Sequence, residues 1–208
     1  MPAGGVRTGA STSGDGNSLK LTASSASRYQ NVNAATYDPE SAIQRVWTEG
    51  YFEASIKWTG GQGAWPAFWL FSQAQALAET SARLLCAEID IFEGQGSQPT
   101  YVNNALHSNS GSGFGVPDVQ APDSHWKDAG QGALSGAFNT YAALWTPTEV
   151  TWYLNSIQTN TCPPFEQTDQ AMFLILTMST GGWYGSTDRT TPAELTTEVD
   201  WVRVWQPV

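Results

Sequence analysis

Three carboxylates fall within six residues in the segment Ala87-Glu88-Ile89-Asp90-Ile91-Phe92-Glu93-Gly94. Side chains alternate between faces along a strand, so Glu88 and Asp90 share one face and Ile89 and Ile91 the other. Glu93 lies an odd number of residues from Glu88 and in a regular strand would face the wrong way. One extra residue, a β-bulge near Ile91-Phe92, turns it back onto the face of Glu88. Three acids on one surface repel, and their pKa values spread apart. One carboxylate then stays ionised while another keeps its proton near neutral pH, the pairing that cleavage of a glycosidic bond requires. The same acids could instead form a solvent-facing edge that discourages strand-to-strand aggregation. The spacing alone does not say which glutamate would do which job.

Other residues could complete such a site. Trp65 and Trp69, four apart in an extended segment, share a face, and either could stack on a sugar ring or fill a core. If residues 88–93 and 101–108 form a hairpin, His107 falls opposite Glu88, within reach of the carboxylates or of a sugar hydroxyl. Trp126, after His125 in a loop with Pro, Asp and Gly, is a candidate cleft wall. Trp183, followed by Tyr184, is a second candidate substrate contact. Cys86 has the parity of Glu88, but no histidine lies close in sequence to activate it.

The elements that must carry these groups read as short strands. Residues 19–23 and 50–58 alternate, 67–71 form a more continuous apolar run, and 140–144, 150–154, 172–178 and 198–205 complete the set. Gly and Pro between them point to an antiparallel β-sandwich. Residues 72–85 are Ala- and Gln-rich and could hold a helical turn. Residues 1–18 read as an irregular lead-in, and 1–208 as one domain. Only 13% of the 208 residues are charged, the net charge is −10, and nine Lys and Arg cannot build a phosphate-neutralising surface. Nucleic acid is excluded on that ground, and sulfated or uronic polymers are disfavoured. Two cysteines make no disulfide scaffold, although Cys86 and Cys162 could pair, and two histidines give no recognisable zinc site. No apolar run reaches membrane-spanning length. The residues Met1-Pro2-Ala3-Gly4-Gly5 hold no signal-peptide core, so the signal of a secreted protein would precede this sequence.

Glu88-Ile89-Asp90-Ile91-Phe92-Glu93 resembles the active-site motif of glycoside hydrolase family 16 in its bulged form. Gly63-Ala64-Trp65-Pro66-Ala67-Phe68-Trp69-Leu70 and Gly50-Tyr51-Phe52-Glu53-Ala54-Ser55-Ile56-Lys57 resemble two upstream strands of that family. Leu144-Trp145-Thr146-Pro147, Trp152-Tyr153-Leu154, Leu174-Ile175-Leu176 and Val199-Asp200-Trp201-Val202-Arg203-Val204 resemble later ones. The similarity runs from about residue 19 to the C-terminus.

The resemblance implies a β-jelly-roll sandwich with a concave substrate cleft and a retaining double displacement. Glu88 would be the nucleophile and Glu93 the general acid, then base. Asp90 would hydrogen-bond Glu88. The bulged form implies endo-hydrolysis of β-1,3-glucan of the laminarin type, with side activity on mixed-linkage β-1,3-1,4-glucan. Agarose, a bacterial exopolysaccharide and a non-catalytic carbohydrate-binding sandwich are the alternatives. No cofactor is required. Asp200 could ligate a structural calcium, although the N-terminal half of that site is replaced here. Thr177 stands where relatives carry Asn. A secreted monomer acting on a polysaccharide, without membrane or nucleic-acid partners, is the expectation.

Overall fold

In a computed structural model, residues 10–12, 17–25, 31–38, 40, 44–77, 86–109, 127–163, 170–182 and 185–207 are described. Alternating apolar residues build two antiparallel sheets that bury their facing sides against each other. The strands in chain order are β1 (Ala10–Thr12), β2 (Leu19–Ser24), β3 (Val32–Ala35), β4 (Gly50–Trp58), β5 (Ala64–Ser72), β6 (Cys86–Glu93), β7 (Tyr101–Asn109), β8 (Lys127–Asp128), β9 (Asn139–Trp145), β10 (Val150–Leu154), β11 (Ile157–Cys162), β12 (Met172–Thr180) and β13 (Glu194–Trp205). The helix α1 (Gln73–Leu77) follows β5, inside the stretch expected to hold a helical turn. One sheet runs β1-β2-β13-β4-β9-β10-β11 and the other β3-β12-β5-β6-β7-β8. This is the β-sandwich expected from the strand pattern.

The interior shows why these residues pair as they do. Phe52, Ala54, Ile56 and Trp58 of β4 point inward from one sheet. Leu174, Leu176 and Met178 of β12, with Phe68 and Leu70 of β5, meet them from the other. Period-two apolar residues on central strands fix the register, because a one-residue slip would expose the whole set. The edges differ from expectation. Within the supposed lead-in, Ala10–Thr12 pair with Leu19–Leu21 as β1. The short strands β3 and β8 and the polar β11 had no apolar alternation to announce them, because an edge strand buries less. Cys162 is a free, buried thiol whose Sγ lies 3.0 Å from Pro163 O, which answers the question of its pairing that the sequence left open. Burial pushes this thiol's pKa up. Among the described residues, no helix is long and apolar enough to cross a membrane.

The loops bounding β5 and β6 lock the site-bearing strands together. Gly94 N–H donates to Pro66 O, Gly96 N–H to Ala64 O and Gly61 N–H to Gly96 O, each at 2.9 Å. These bonds continue the β5–β6 pairing past Glu93. Gly96 lies so close to the facing loop that an added Cβ would collide with the Gly61 carbonyl oxygen and sit 2.6 Å from Ala64 Cβ. Both atoms belong to the backbone framework and cannot swing aside. Gly96→Ala should therefore destabilise the fold by about 1–3 kcal/mol, as overpacking does. That is a fall of roughly 3–10 °C in melting temperature for a domain of this size. Thermal unfolding followed by circular dichroism checks it, and an unchanged midpoint would show that the two loops do not abut.

Candidate active site

The carboxylates stand on β6, between β5 and β7, on the face of the six-stranded sheet turned away from the core. Glu88 pairs with Phe71 and Asp90 with Trp69 across one boundary, and Glu88 with His107 and Asp90 with Ala105 across the other. His107 thus falls opposite Glu88, as the hairpin reading requires. From Asp90 to Glu93 β6 advances three residues, while the partners on β7, Ala105 and Asn103, are only two apart. A matching shift occurs against β5 between Phe68 and Trp69. One extra residue is therefore present. Ile91 and Phe92, consecutive in sequence, are both buried in the core, at 1% and 0% exposure. The bulge restores Glu93 to the face of Glu88 and Asp90.

Glu93 is nearly sequestered, at 7% exposure. Trp65 Nε1 donates to its Oε1 at 2.8 Å, and Asn103 Nδ2 to its Oε2 at 2.6 Å. Burial, reinforced by the negative charge of Asp90, raises its pKa from 4.5 to about 7. The Trp65 and Asn103 hydrogen bonds and His107 oppose that rise without cancelling it. Desolvation dominates because water is withheld and two donors replace only part of the lost solvation. Asp90, 4% exposed, lies 3.0 Å from His107 Nε2 through its Oδ2. Glu88 is half-buried, hence more open than the other two acids. Ligand atoms of Glu88, Asp90 and His107 lie within 4.8 Å of one another. The trio could close on a divalent cation, but that would occupy Glu88.

Trp65 and Trp69 share the face but not the surroundings. The Trp65 ring is pinned from behind by Gly182, where an added Cβ would lie 2.5 Å from the indole. Trp69 turns its Nε1 to Thr177 Oγ1 at 3.0 Å and its ring edge-on to Phe71. It packs on a small apolar cluster of Tyr37, Phe173 and Ile175. Thr177 thereby holds a tryptophan in place. Trp126 and Trp183, with His125 and Tyr184, lie outside the described residues. Asp200 is exposed at a bulge of β13, in the other sheet from the carboxylates. Among the described residues it belongs to no cluster of three or more Asp, Glu, His or Cys side chains. Calcium takes six to eight oxygens, backbone carbonyls among them, so Asp200 would be one ligand of several. Asn103 was missed in the sequence. Its even spacing from His107 puts it on the same face, and the bulge brings it beside Glu93.

Comparison with known proteins bears on the family and the fold. The family model "Glycosyl hydrolases family 16" matches residues 6–203. The endo-1,3-1,4-β-glycanase EglC of Rhizobium meliloti is 27% identical over 173 residues, which is 80% of this chain but 33% of that protein. The glucan endo-1,3-β-glucosidase of Cryptopygus antarcticus is 29% identical over 186 residues, 76% of this chain and 63% of that protein. The chain thus spans about a third of the former relative and less than two thirds of the latter. Among solved structures, the laminarinase of Flavobacterium sp. UMI-01 superposes with a TM-score of 0.71 at 23% identity, covering 96% of this chain and 82% of that one. The endo-β-1,3-glucanase of Pyrococcus furiosus gives 0.70 at 23% identity, covering 90% and 74%. The sandwich is the jelly roll of those enzymes. With the family model spanning both sheets and every strand of the carboxylate face, the chain belongs to glycosyl hydrolase family 16.

Proposed function

We propose that this chain is a retaining endo-β-glucanase acting on β-1,3-glucan of the laminarin type, with side activity on mixed-linkage chains. The observation that carries the reading is Glu93, a buried carboxyl that holds its proton to about pH 7 on the same face as the more open Glu88. In the first step Glu88 attacks the anomeric carbon while Glu93 protonates the departing glycosidic oxygen. The glycosyl–Glu88 bond then breaks as water attacks, with Glu93 taking the water's proton. Asn103 suits both states of Glu93. Its Nδ2 donates to the carboxylate, and its Oδ1, buried without a partner among the described residues, could accept a hydrogen bond from the acid's O–H after a half-turn of the amide. Burial keeps Glu93 protonated, and Asp90, held by His107, adds its negative charge to that effect.

The bulge supports the linkage, because the bulged motif goes with β-1,3-glucan and galactan substrates. The relatives named for 1,3- and 1,3-1,4-glucans point the same way. A net charge of −10 disfavours sulfated galactans. A non-catalytic sandwich has no use for a desolvated acid next to a second carboxylate. A polymeric substrate favours activity outside the cell, and the carboxylates of one chain support action as a monomer.

Glu88→Gly and Glu93→Gln should each fold and lose activity on laminarin by at least the roughly 10²–10⁴-fold that acid–base assistance is worth. Azide should rescue Glu88→Gly as an inverted glycosyl azide. Laminarin, lichenan, agarose and carrageenan assayed side by side test the substrate. Cleavage of lichenan with none of laminarin would refute the linkage, and activity above a tenth of wild type in either variant would refute the roles.

The alkaline limb of kcat/KM, which reports the free enzyme, should fall near pH 7. Asn103→Leu removes a donor that favours the ionised form, so the limb should move upward. A downward move would mean that Asn103 does not donate to Glu93.

Stability should follow the same group. An unfolded glutamate titrates near 4.5 and the folded Glu93 near 7. The folded state binds this proton more tightly, so its contribution is fully present below 4.5 and lost as pH rises through 7. Glu93→Gln removes that loss. Its gain in melting temperature over wild type should therefore be larger at pH 8 than at pH 4, and a gain independent of pH would contradict the assignment.

A further inference from the structure

We propose that Trp152 and Asn104, buried inside the sandwich, are positioning residues for Glu93, because each captures a carbonyl oxygen at the bulge that sets where this carboxyl sits. The inference rests on Glu93 being the acid–base group. Trp152 belongs to β10, in the sheet opposite the site, and is fully buried. Its Nε1 crosses the interior and donates to Asp90 O at 2.9 Å. Asn104 Nδ2 donates to Ile91 O at 2.8 Å. These two carbonyls lie at the register break between Asp90 and Glu93.

Asn104 is out of character for its place. It alternates with Val102 and Leu106, both core residues, and is itself only 7% exposed. A polar amide among apolar side chains is tolerated only when paired. Its donor serves Ile91 O, and its Oδ1 accepts from Thr159 Oγ1 at 2.7 Å, on β11 of the opposite sheet. The hydroxyl thereby fixes which end of the amide faces the bulge. Two tethers thus run across the sandwich, one through Trp152 and one through Asn104 and Thr159. Both end on the peptide units that carry the extra residue.

The tethers matter because a bulge is a soft element. Moving the extra residue one position toward Glu93 would turn Phe92 out of the core, a second position would turn Glu93 inward, and a smaller rotation would swing Glu93 away from Trp65 and Asn103. Displacement of a catalytic group by roughly 1 Å can cost on the order of 100-fold. None of the tethering side chains faces the cleft, so their effect on the reaction must pass through the bulge that places Glu93 beside Asp90.

Trp152→Phe keeps a core aromatic and removes the N–H. Thr159→Val is nearly isosteric and releases the Asn104 amide, which keeps the test open if Trp152→Phe fails to fold. Three readouts are needed: kcat on laminarin, the burst of dinitrophenolate from an activated aryl β-oligoglucoside whose leaving group needs no acid, and the Glu93 carboxyl titration by carbon-13 NMR, assigned with Glu93→Gln. The expected result is a fall in kcat on laminarin of about 10–100-fold, an unchanged burst rate, and a displaced Glu93 midpoint in a cooperatively folded protein. A purely structural role would lower the melting temperature and slow both substrates alike, with the Glu93 midpoint unmoved. That outcome, or wild-type kcat in both variants, would overturn the proposal. If the wild type cleaves no glucan, the functional reading fails, while the titration still decides whether the tethers set Glu93.

Discussion

A carboxyl group withheld from water beside a second carboxylate is the constraint around which this molecule is arranged. Glu93 in its ionised form would lose solvation and face the charge of Asp90, and both effects favour the proton. An arrangement of this kind survives only if the surroundings over-determine it. Trp65 and Asn103 each supply one donor to Glu93, and Gly182 lies close against the Trp65 indole that carries the first of them. The glycine is required there in two ways, since the chain adopts φ +66° and no Cβ fits against the ring. The hydrogen bonds of Gly94 and Gly96 to β5 then anchor the strand just past Glu93.

The sandwich separates two tasks between the faces of one sheet. The outer face of β5, β6 and β7 carries Glu88, Asp90, Glu93, His107 and Asn103, where charge can meet solvent and a ligand. The inner face carries Ile89, Ile91, Phe92, Val102 and Leu106, which join the main core. At the bulge this division breaks for one residue, and Phe92 enters the core beside Ile91. The opposite sheet is shaped to receive it: Tyr141 stacks on the Phe92 ring at 3.9 Å between centroids, and Trp58 leans on it at 6.2 Å. Trp58 Nε1 in turn reaches Tyr141 OH at 3.3 Å, so the polar atoms of this aromatic group are paired inside the core. The aromatic packing that stabilises the fold and the placement of Glu93 are therefore the same contacts seen from two sides.

This division of labour explains which features were legible in the sequence. The three acids, their parity and the extra residue could be read because side-chain alternation is a local rule, and Glu93 breaks it visibly. His107 could be placed opposite Glu88 because a hairpin relates positions by simple counting. Asn103 obeys the same count, but only once the bulge has been included, since without it Glu93 and Asn103 are out of step. Trp152 and Asn104 were not legible at all. Their partners are backbone carbonyls, which have no signature in sequence, and the contact of Trp152 crosses from one sheet to the other. The strands β3, β8 and β11 escaped for a different reason. They lie at or beside sheet edges and bury too few apolar side chains to show a period.

The two tryptophans of β5 show how far a shared face can mislead. By spacing they are equivalent, and both could be imagined stacking on a sugar. The structure separates them through their indole nitrogens. Trp69 gives its N–H to Thr177 and rests on Phe71 in a satellite cluster, so its ring is committed to joining β5 and β12. Trp65 gives its N–H to Glu93 and so takes part in setting the charge of the acid. A residue that holds the proton donor and lines the same face couples two properties of the site. Any ligand that shifts the Trp65 ring also alters the hydrogen bond opposing the rise in the Glu93 pKa. Weakening that bond raises the pKa further and holds the proton more tightly. A ligand that displaced the ring would thus be linked to the protonation of Glu93 through one indole N–H.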